Sequence, residues 1–147
     1  MAKSQQVFLN IAEQISAFSK DPRRKIGAIA VDEDGKILST GYNGFPRGTL
    51  DTPENWKNRV IKNKYVVHAE ANLVYNATYT GARLKGSTVY VFGLPICQQC
   101  ALALIQAGVS KVVYKHNFIE GDEKWLESFK DSLFIFNEAG VEIVQIY

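Results

Sequence analysis

Val7, Phe8, Ile11, Ala12, Ile15 and Phe18 recur at helical intervals, forming one apolar stripe of a helix that must end before Pro22. Ile26 to Val31 is then almost wholly apolar and reads as a buried strand. Asp32-Glu33-Asp34-Gly35 is a turn signal, and Lys36 to Tyr42 returns as a second strand, so the two predict a hairpin. From Asn43 to Lys64 no period holds. Gly44, Pro46, Gly48 and Pro53 break it, which predicts a long loop with a short helix near Trp56, and loops of that length are often functional.

Beyond that loop, helix and strand alternate. Val66 to Tyr79 predicts a helix stopped by Gly81, Thr88 to Phe92 a strand, and Cys97 to Ala107 a helix closed by Gly108. Lys111 to Tyr114 reads as a strand, and Trp125, Phe129, Leu133 and Phe136 stripe a helix ending at Gly140 before a final strand, Val141 to Ile146. The three aromatics of that stripe, like Tyr90 in its strand, are expected in the core. This alternation implies an α/β domain whose helices cover a sheet that is mostly parallel beyond the hairpin.

Composition narrows the setting. A chain of 147 residues, 46% hydrophobic and 22% charged, suits one globular domain spanning 1–147. No apolar run approaches the ~20 residues of a membrane span, and Met1 to Gln6 are too polar for a secretory leader. The net charge of +2 makes a nucleic-acid partner an unfavoured expectation. Two cysteines are too few for a disulfide framework, so a reducing cytoplasm is the expected compartment.

Those two cysteines and one of the two histidines carry the chemistry. Cys97 and Cys100, three apart at a helix start, share a face and suit one zinc ion. The helix after His68 runs about 22 Å one way. The strand from Thr88 to Gly93 returns roughly 20 Å. His68 therefore meets Cys97 at one end of the sheet. Three protein ligands leave a fourth tetrahedral position for water, the arrangement of a catalytic centre, and Glu70 stands beside it as a proton shuttle. Taken separately the motifs are ambiguous. Cys-x-x-Cys between strand and helix also fits thioredoxin-like redox chemistry, and His-x-Glu is commonly an ordinary helix surface pair. His116 reads as a solvated residue of a polar loop.

The joint pattern His68-x-Glu70 and Cys97-x-x-Cys100 resembles the zinc-dependent deaminases. Asp21-Pro22, Lys25-Ile26-Gly27-Ala28, the loop Gly41-Tyr42-Asn43-Gly44-Phe45-Pro46-Arg47-Gly48, Tyr65 to Glu70, Ile105-Gln106-Ala107-Gly108 and Val112-Val113-Tyr114 are similar in order and spacing to the deoxycytidylate (dCMP) deaminase family. One departure is Ile96 before the first cysteine, where that family usually has proline; here Pro95 stands one earlier.

The resemblance implies a three-layer α/β/α sandwich around a mixed five-stranded sheet. It implies one zinc on His68, Cys97 and Cys100, and hydrolytic deamination of dCMP to dUMP, a precursor for thymidylate synthesis. Glu70 would move protons from the attacking water to cytosine N3 and to the departing ammonia. The Ala69 amide would meet the base O2, and Asn43 and Gly44 would hold sugar and phosphate. Lys25 and Arg47 are favoured for the phosphate among the nearby cations, which include Lys20, Arg23 and Arg24. The resemblance further implies a homohexamer, dCTP and dTTP as effectors, and Mg2+ accompanying a triphosphate. Alternatives are deamination of dCTP or of both nucleotides, of a nucleoside, free base or tRNA adenosine, and a non-enzymatic zinc-stabilised interaction module.

Overall fold

Alternate residues of the strands face opposite apolar layers, and that period builds the architecture. The computed structural model describes residues 2–147, with side chains from Gln5 onward, so Met1 of the polar leading segment lies outside the described residues. Strand β1 (Gly27–Val31) is buried at every position. It pairs antiparallel with β2 (Ile37–Tyr42) through a turn in which the Asp32 carboxylate accepts the amides of Asp34 and Lys36. On its other edge β1 pairs antiparallel with β3 (Thr88–Gly93), and β4 (Lys111–His116) and β5 (Glu142–Gln145) add in parallel. The sheet order is β2-β1-β3-β4-β5, a mixed five-stranded sheet as expected.

Helix α1 (Ala2–Ser16) covers one face, where Leu9 and Ala12 pack on Ile29, Val31, Tyr90 and Val113. Two short helices, α2 (Pro53–Lys57) and α3 (Arg59–Tyr65), occupy the aperiodic segment. Their starts are written locally: the side chains of Thr52 and Asn58 accept amide hydrogens from Asn55 and Ile61. Helices α4 (Ala69–Thr80), α5 (Gln98–Gln106) and α6 (Leu126–Ala139) cover the other face, burying Leu73, Leu104 and Phe136 against Ala28, Ala30, Val89, Val91 and Val112.

Two glycines set how closely helices approach the sheet. A Cβ on Gly41 of β2 would lie 2.4 Å from the Ala69 carbonyl oxygen and from the Leu73 amide nitrogen, so the first turns of α4 rest directly on the strand backbone. Gly27 serves α1 in the same way, with Ala12 O 2.0 Å from the position of a Cβ.

Three expectations change. β4 extends to His116, which pairs in register with Gly93 and is not in a polar loop. Trp125 precedes α6 in a 3-10 turn (Asp122–Trp125) and is 37% exposed, outside the core that takes Phe129 and Phe136. Leu133 is also exposed, because α6 lies over one margin of the sheet and buries a narrower stripe than the periodicity suggests. Tyr90 does pack in the core, its ring 5.0 Å from that of Phe8. Among the described residues no helix is long and apolar enough to cross a membrane.

The glycine contacts yield a paired test. Gly41→Ala should destabilise the protein by about 1–3 kcal/mol or more through overpacking against helix backbone. Gly44, whose added Cβ would meet nothing nearer than a Tyr42 ring carbon at 3.8 Å, should accept alanine within about 0.5 kcal/mol. Urea unfolding of the two variants checks the difference.

Candidate active site

The pairing register brings several chain segments to one end of the sheet. Gly27 opposes both Tyr42 and Phe92, and Gly93 opposes His116. The segments entering β1 and leaving β2, β3 and β4 therefore surround the same crevice, at the carboxyl ends of the parallel strands where α/β sheets bind ligands. The segment before α4 is held there by a two-residue bridge: Gly44 N donates to Val67 O at 3.1 Å, and Val67 N to Gly44 O at 2.8 Å. His68 is the N-cap of α4 and Cys97 the N-cap of α5, so two helix N-termini meet.

His68 Nδ1 lies 3.4 Å from Cys97 Sγ and 3.5 Å from Cys100 Sγ. A zinc ion in tetrahedral coordination, with N at about 2.0 Å and S at about 2.3 Å, needs N···S separations of roughly 3.5 Å. The three donors are thus already spaced for the metal, and their chemistry is that of a catalytic zinc set with room for a water. The Cys97 thiol is pulled down to about 4, first by its hydrogen bond with Cys100, with burial opposing and His68 assisting. Cys100 is pushed up by the same bond and by burial, so negative charge falls on Cys97 first. Helix dipoles at both N-termini favour that negative charge.

Glu70 stands in the first turn of α4, 5% exposed. Burial, aided by the charge of Cys97, pushes its carboxyl up to about 7 against the pull of His68. A carboxyl poised there can both accept and return a proton near neutral pH.

His68, Glu70 and Cys97 line a cavity of about 420 Å³, within the range of small-molecule sites, with Cys100 buried behind Cys97. Ala69 and Asn43 line it too. Asn43 is heavily engaged by the chain: its Oδ1 accepts from Ile26 N at 2.9 Å and its Nδ2 donates to Arg24 O at 2.7 Å. Gly44 acts through its backbone bridge behind the wall. Lys25 and Arg47 do not line the cavity. Lys25 Nζ donates to the Ser19 carbonyl, while Arg47 donates to Asn76 and stacks over Tyr79 at 4.4 Å. Lys20 pairs with Asp51 at the surface. Ile96 is buried in the core at 1% exposure, and it is Pro95 that lines the cavity, so the departure before Cys97 leaves a proline facing the site.

The cations that do line the cavity are Arg23, Arg24, Arg59, Lys62 and Lys124. Arg24 pairs with Asp122, and Lys62 with Asp21 at 3.1 Å. Arg23, Arg59 and Lys124 form no ion pair among the described residues, and all three are exposed at the rim. Arg59 and Lys124 escaped sequence reasoning because they lie far from the motifs in the chain, with only the length of the 43–64 segment hinting at a role.

A His-Cys-Cys cluster at two helix N-termini, with a buried glutamate beside it on an α/β/α fold, is a donor set and acid–base group of the kind that suits a metal-dependent hydrolase. The profile of the cytidine and deoxycytidylate deaminase zinc-binding region matches residues 2–116. A probable deoxycytidylate deaminase of Caenorhabditis elegans is 46% identical over 118 residues, covering 78% of this chain and 58% of its own length. Human deoxycytidylate deaminase is 36% identical over 141 residues, 91% of this chain and 74% of its own. The crystal structure of dCMP deaminase from cyanophage S-TIM5 in complex with dCMP and dUMP superposes with a TM-score of 0.75 at 26% identity, covering 99% of this chain and 98% of that one. The chain belongs to the cytidine and deoxycytidylate deaminase family.

Zinc binding has a direct check. The purified protein should carry one zinc per chain, and cobalt substitution should give the intense near-ultraviolet charge-transfer bands of a thiolate-ligated metal. Cys97→Ser should weaken those bands and the metal affinity; unchanged spectra would mean that the metal sits elsewhere.

Proposed function

We propose that this protein deaminates dCMP to dUMP and ammonia. The observation that carries the reading is the pairing of a zinc-type donor set and a buried glutamate with unpaired cations at the rim of one cavity. The names of the relatives, and the dCMP and dUMP bound by the phage enzyme, support the same substrate.

Zinc, when bound by His68, Cys97 and Cys100, supplies a water activated for attack at neutral pH. Glu70 would take one proton of the attacking water as its oxygen adds to cytosine C4 and pass it to N3, then take the remaining hydroxyl proton and deliver it to the amine as C4=O forms and the C4–N bond breaks. The backbone amide of Ala69, at the positive end of α4, suits the base O2. Asn43 shapes the adjoining wall by bracing Ile26 and Arg24. Arg23, Arg59 and Lys124, which have no carboxylate partner among the described residues, suit the dianionic phosphate better than Lys25 or Arg47, whose charged groups are engaged elsewhere. Effectors such as dCTP and dTTP with Mg2+, a hexameric assembly and a cytoplasmic setting, where both thiols stay reduced, belong to the same reading.

Two substitutions test it. Glu70→Gln should lower kcat for dCMP by about 10²–10⁴-fold while zinc content and folding stay intact. Retained turnover would sink the mechanism. Arg59→Ala should raise KM for dCMP about tenfold, the loss of one charged hydrogen bond, yet leave deoxycytidine, which has no phosphate, unaffected. Ammonia release from dCMP, dCTP, CMP, deoxycytidine and cytosine measures both and ranks the substrates.

A further inference from the structure

Asp122 is the buried residue of its 3-10 turn. Glu123, Lys124, Trp125 and Leu126, which follow it, are all exposed. Apolar burial therefore does little to attach this turn, although Lys124 and Trp125 form one wall of the cavity. Among the described residues, the side-chain hydrogen bonds that tie it to the rest of the fold converge on a single carboxylate oxygen. Asp122 Oδ2 accepts from His116 Nε2 at 2.9 Å, from the Ile119 amide at 3.0 Å and from the Arg24 guanidinium.

The Ile119 amide closes the turn on itself, while the two side-chain donors tie it to different parts of the site. His116 ends β4 and pairs in register with Gly93, at the start of the segment leading to Cys97. Arg24 lies before β1, with its carbonyl bonded to Asn43 and its amide to Asp21, and Asp21 in turn pairs with Lys62 on α3. The Arg24 side chain is 13% exposed, and its Nε is buried with no protein partner, so the bond to Asp122 is its principal anchor. The link continues from the turn through Arg24 and Asp21 to α3, the helix that begins with Arg59.

We propose that Asp122 is a positioning residue for substrate capture: it fastens the turn bearing Lys124 and Trp125 over the cavity and, through Arg24, aligns that wall with the one bearing Arg59. The inference rests on the deaminase reading above and adds to it a residue that touches neither metal nor reacting atoms. Its signature is a change in capture without a change in chemistry. Loosening the turn leaves His68, Glu70, Cys97 and Cys100 on their helices but withdraws the ammonium of Lys124 from the phosphate.

The test uses the zinc-loaded, full-length protein. Asp122→Asn should raise KM for dCMP about tenfold with kcat within about threefold and zinc content unchanged, and hydrogen exchange across residues 117–125 should accelerate. Lys124→Ala alone should raise KM similarly without altering exchange. The double variant should be no worse than the worse single variant, because both remove one function. If Asp122→Asn does not fold, His116→Ala removes one of the three donors and should shift KM and exchange in the same direction. His116→Gln, which retains a donor, should reverse much of that shift. Additive KM effects, an unchanged KM, or a fall in kcat accompanied by zinc loss would overturn the proposal. Exchange is read without substrate, so it judges the anchoring even if the wild-type protein leaves dCMP untouched, a result that would count against the deaminase reading alone.

Discussion

The contact between α4 and the backbone of β2 at Gly41 is the constraint on which the site depends. A helix normally rests on a sheet through side chains, at a distance their volumes set. Here no side chain intervenes, and the first two turns of α4 lie against the strand itself. That contact fixes both the height and the end of the helix, because the atoms meeting Gly41 belong to Ala69 and Leu73. His68 and Glu70 flank Ala69 in the chain, so the ligand and the carboxyl inherit their placement from it. The bridge between Gly44 and Val67 adds a second point of attachment just upstream. Two backbone contacts a few residues apart leave the N-terminus of α4 little freedom.

The other half of the centre arrives from β3 by a different route. Its central position in the sheet, between β1 and β4, makes it rigid, and Cys97 follows its end closely enough to be the cap of α5. A metal centre divided between two helix N-termini has an electrostatic consequence. Both helices present partial positive charge to the thiolate and to any anion formed in the cavity, while Glu70, shielded from water, retains its proton more readily than an exposed carboxyl.

Charge at the rim follows a different logic. The buried carboxylates Asp21 and Asp122 each neutralise one cation, and both also bond backbone amides of their own segments. Burial opposes ionisation of Asp122, but the Ile119 amide, His116 and Arg24 together hold its carboxyl below the usual range. These acids shape loops, and Arg23, Arg59 and Lys124, which form no ion pair among the described residues, stay at the solvent edge of the cavity.

The local code made much of this legible. The apolar run Ile26 to Val31, the Asp32–Gly35 turn and the stops at Gly81, Gly108 and Gly140 identify the elements, because periodicity and turn chemistry are properties of neighbouring residues. Cancelling the length of α4 against that of β3 brought His68 to the cysteines, since rise per residue is nearly constant. The rim was beyond such reasoning. Whether Lys25 or Lys124 faces the cavity depends on which carbonyls and carboxylates fold up beside each. Lys25 finds the Ser19 carbonyl, whereas Lys124 follows a buried aspartate that aims its turn over the site. His116 reads as solvated from the sequence for the same reason: its partner Asp122 is close in the chain, but only the register of β4 against β3 and the return of Arg24 across the sheet end make that aspartate a buried junction. The meeting of His68, Cys97 and Cys100 is legible in advance because their spacing is carried by regular helices and strands, while the cationic rim is assembled from turns, loops and a short helix whose positions only long-range contacts decide.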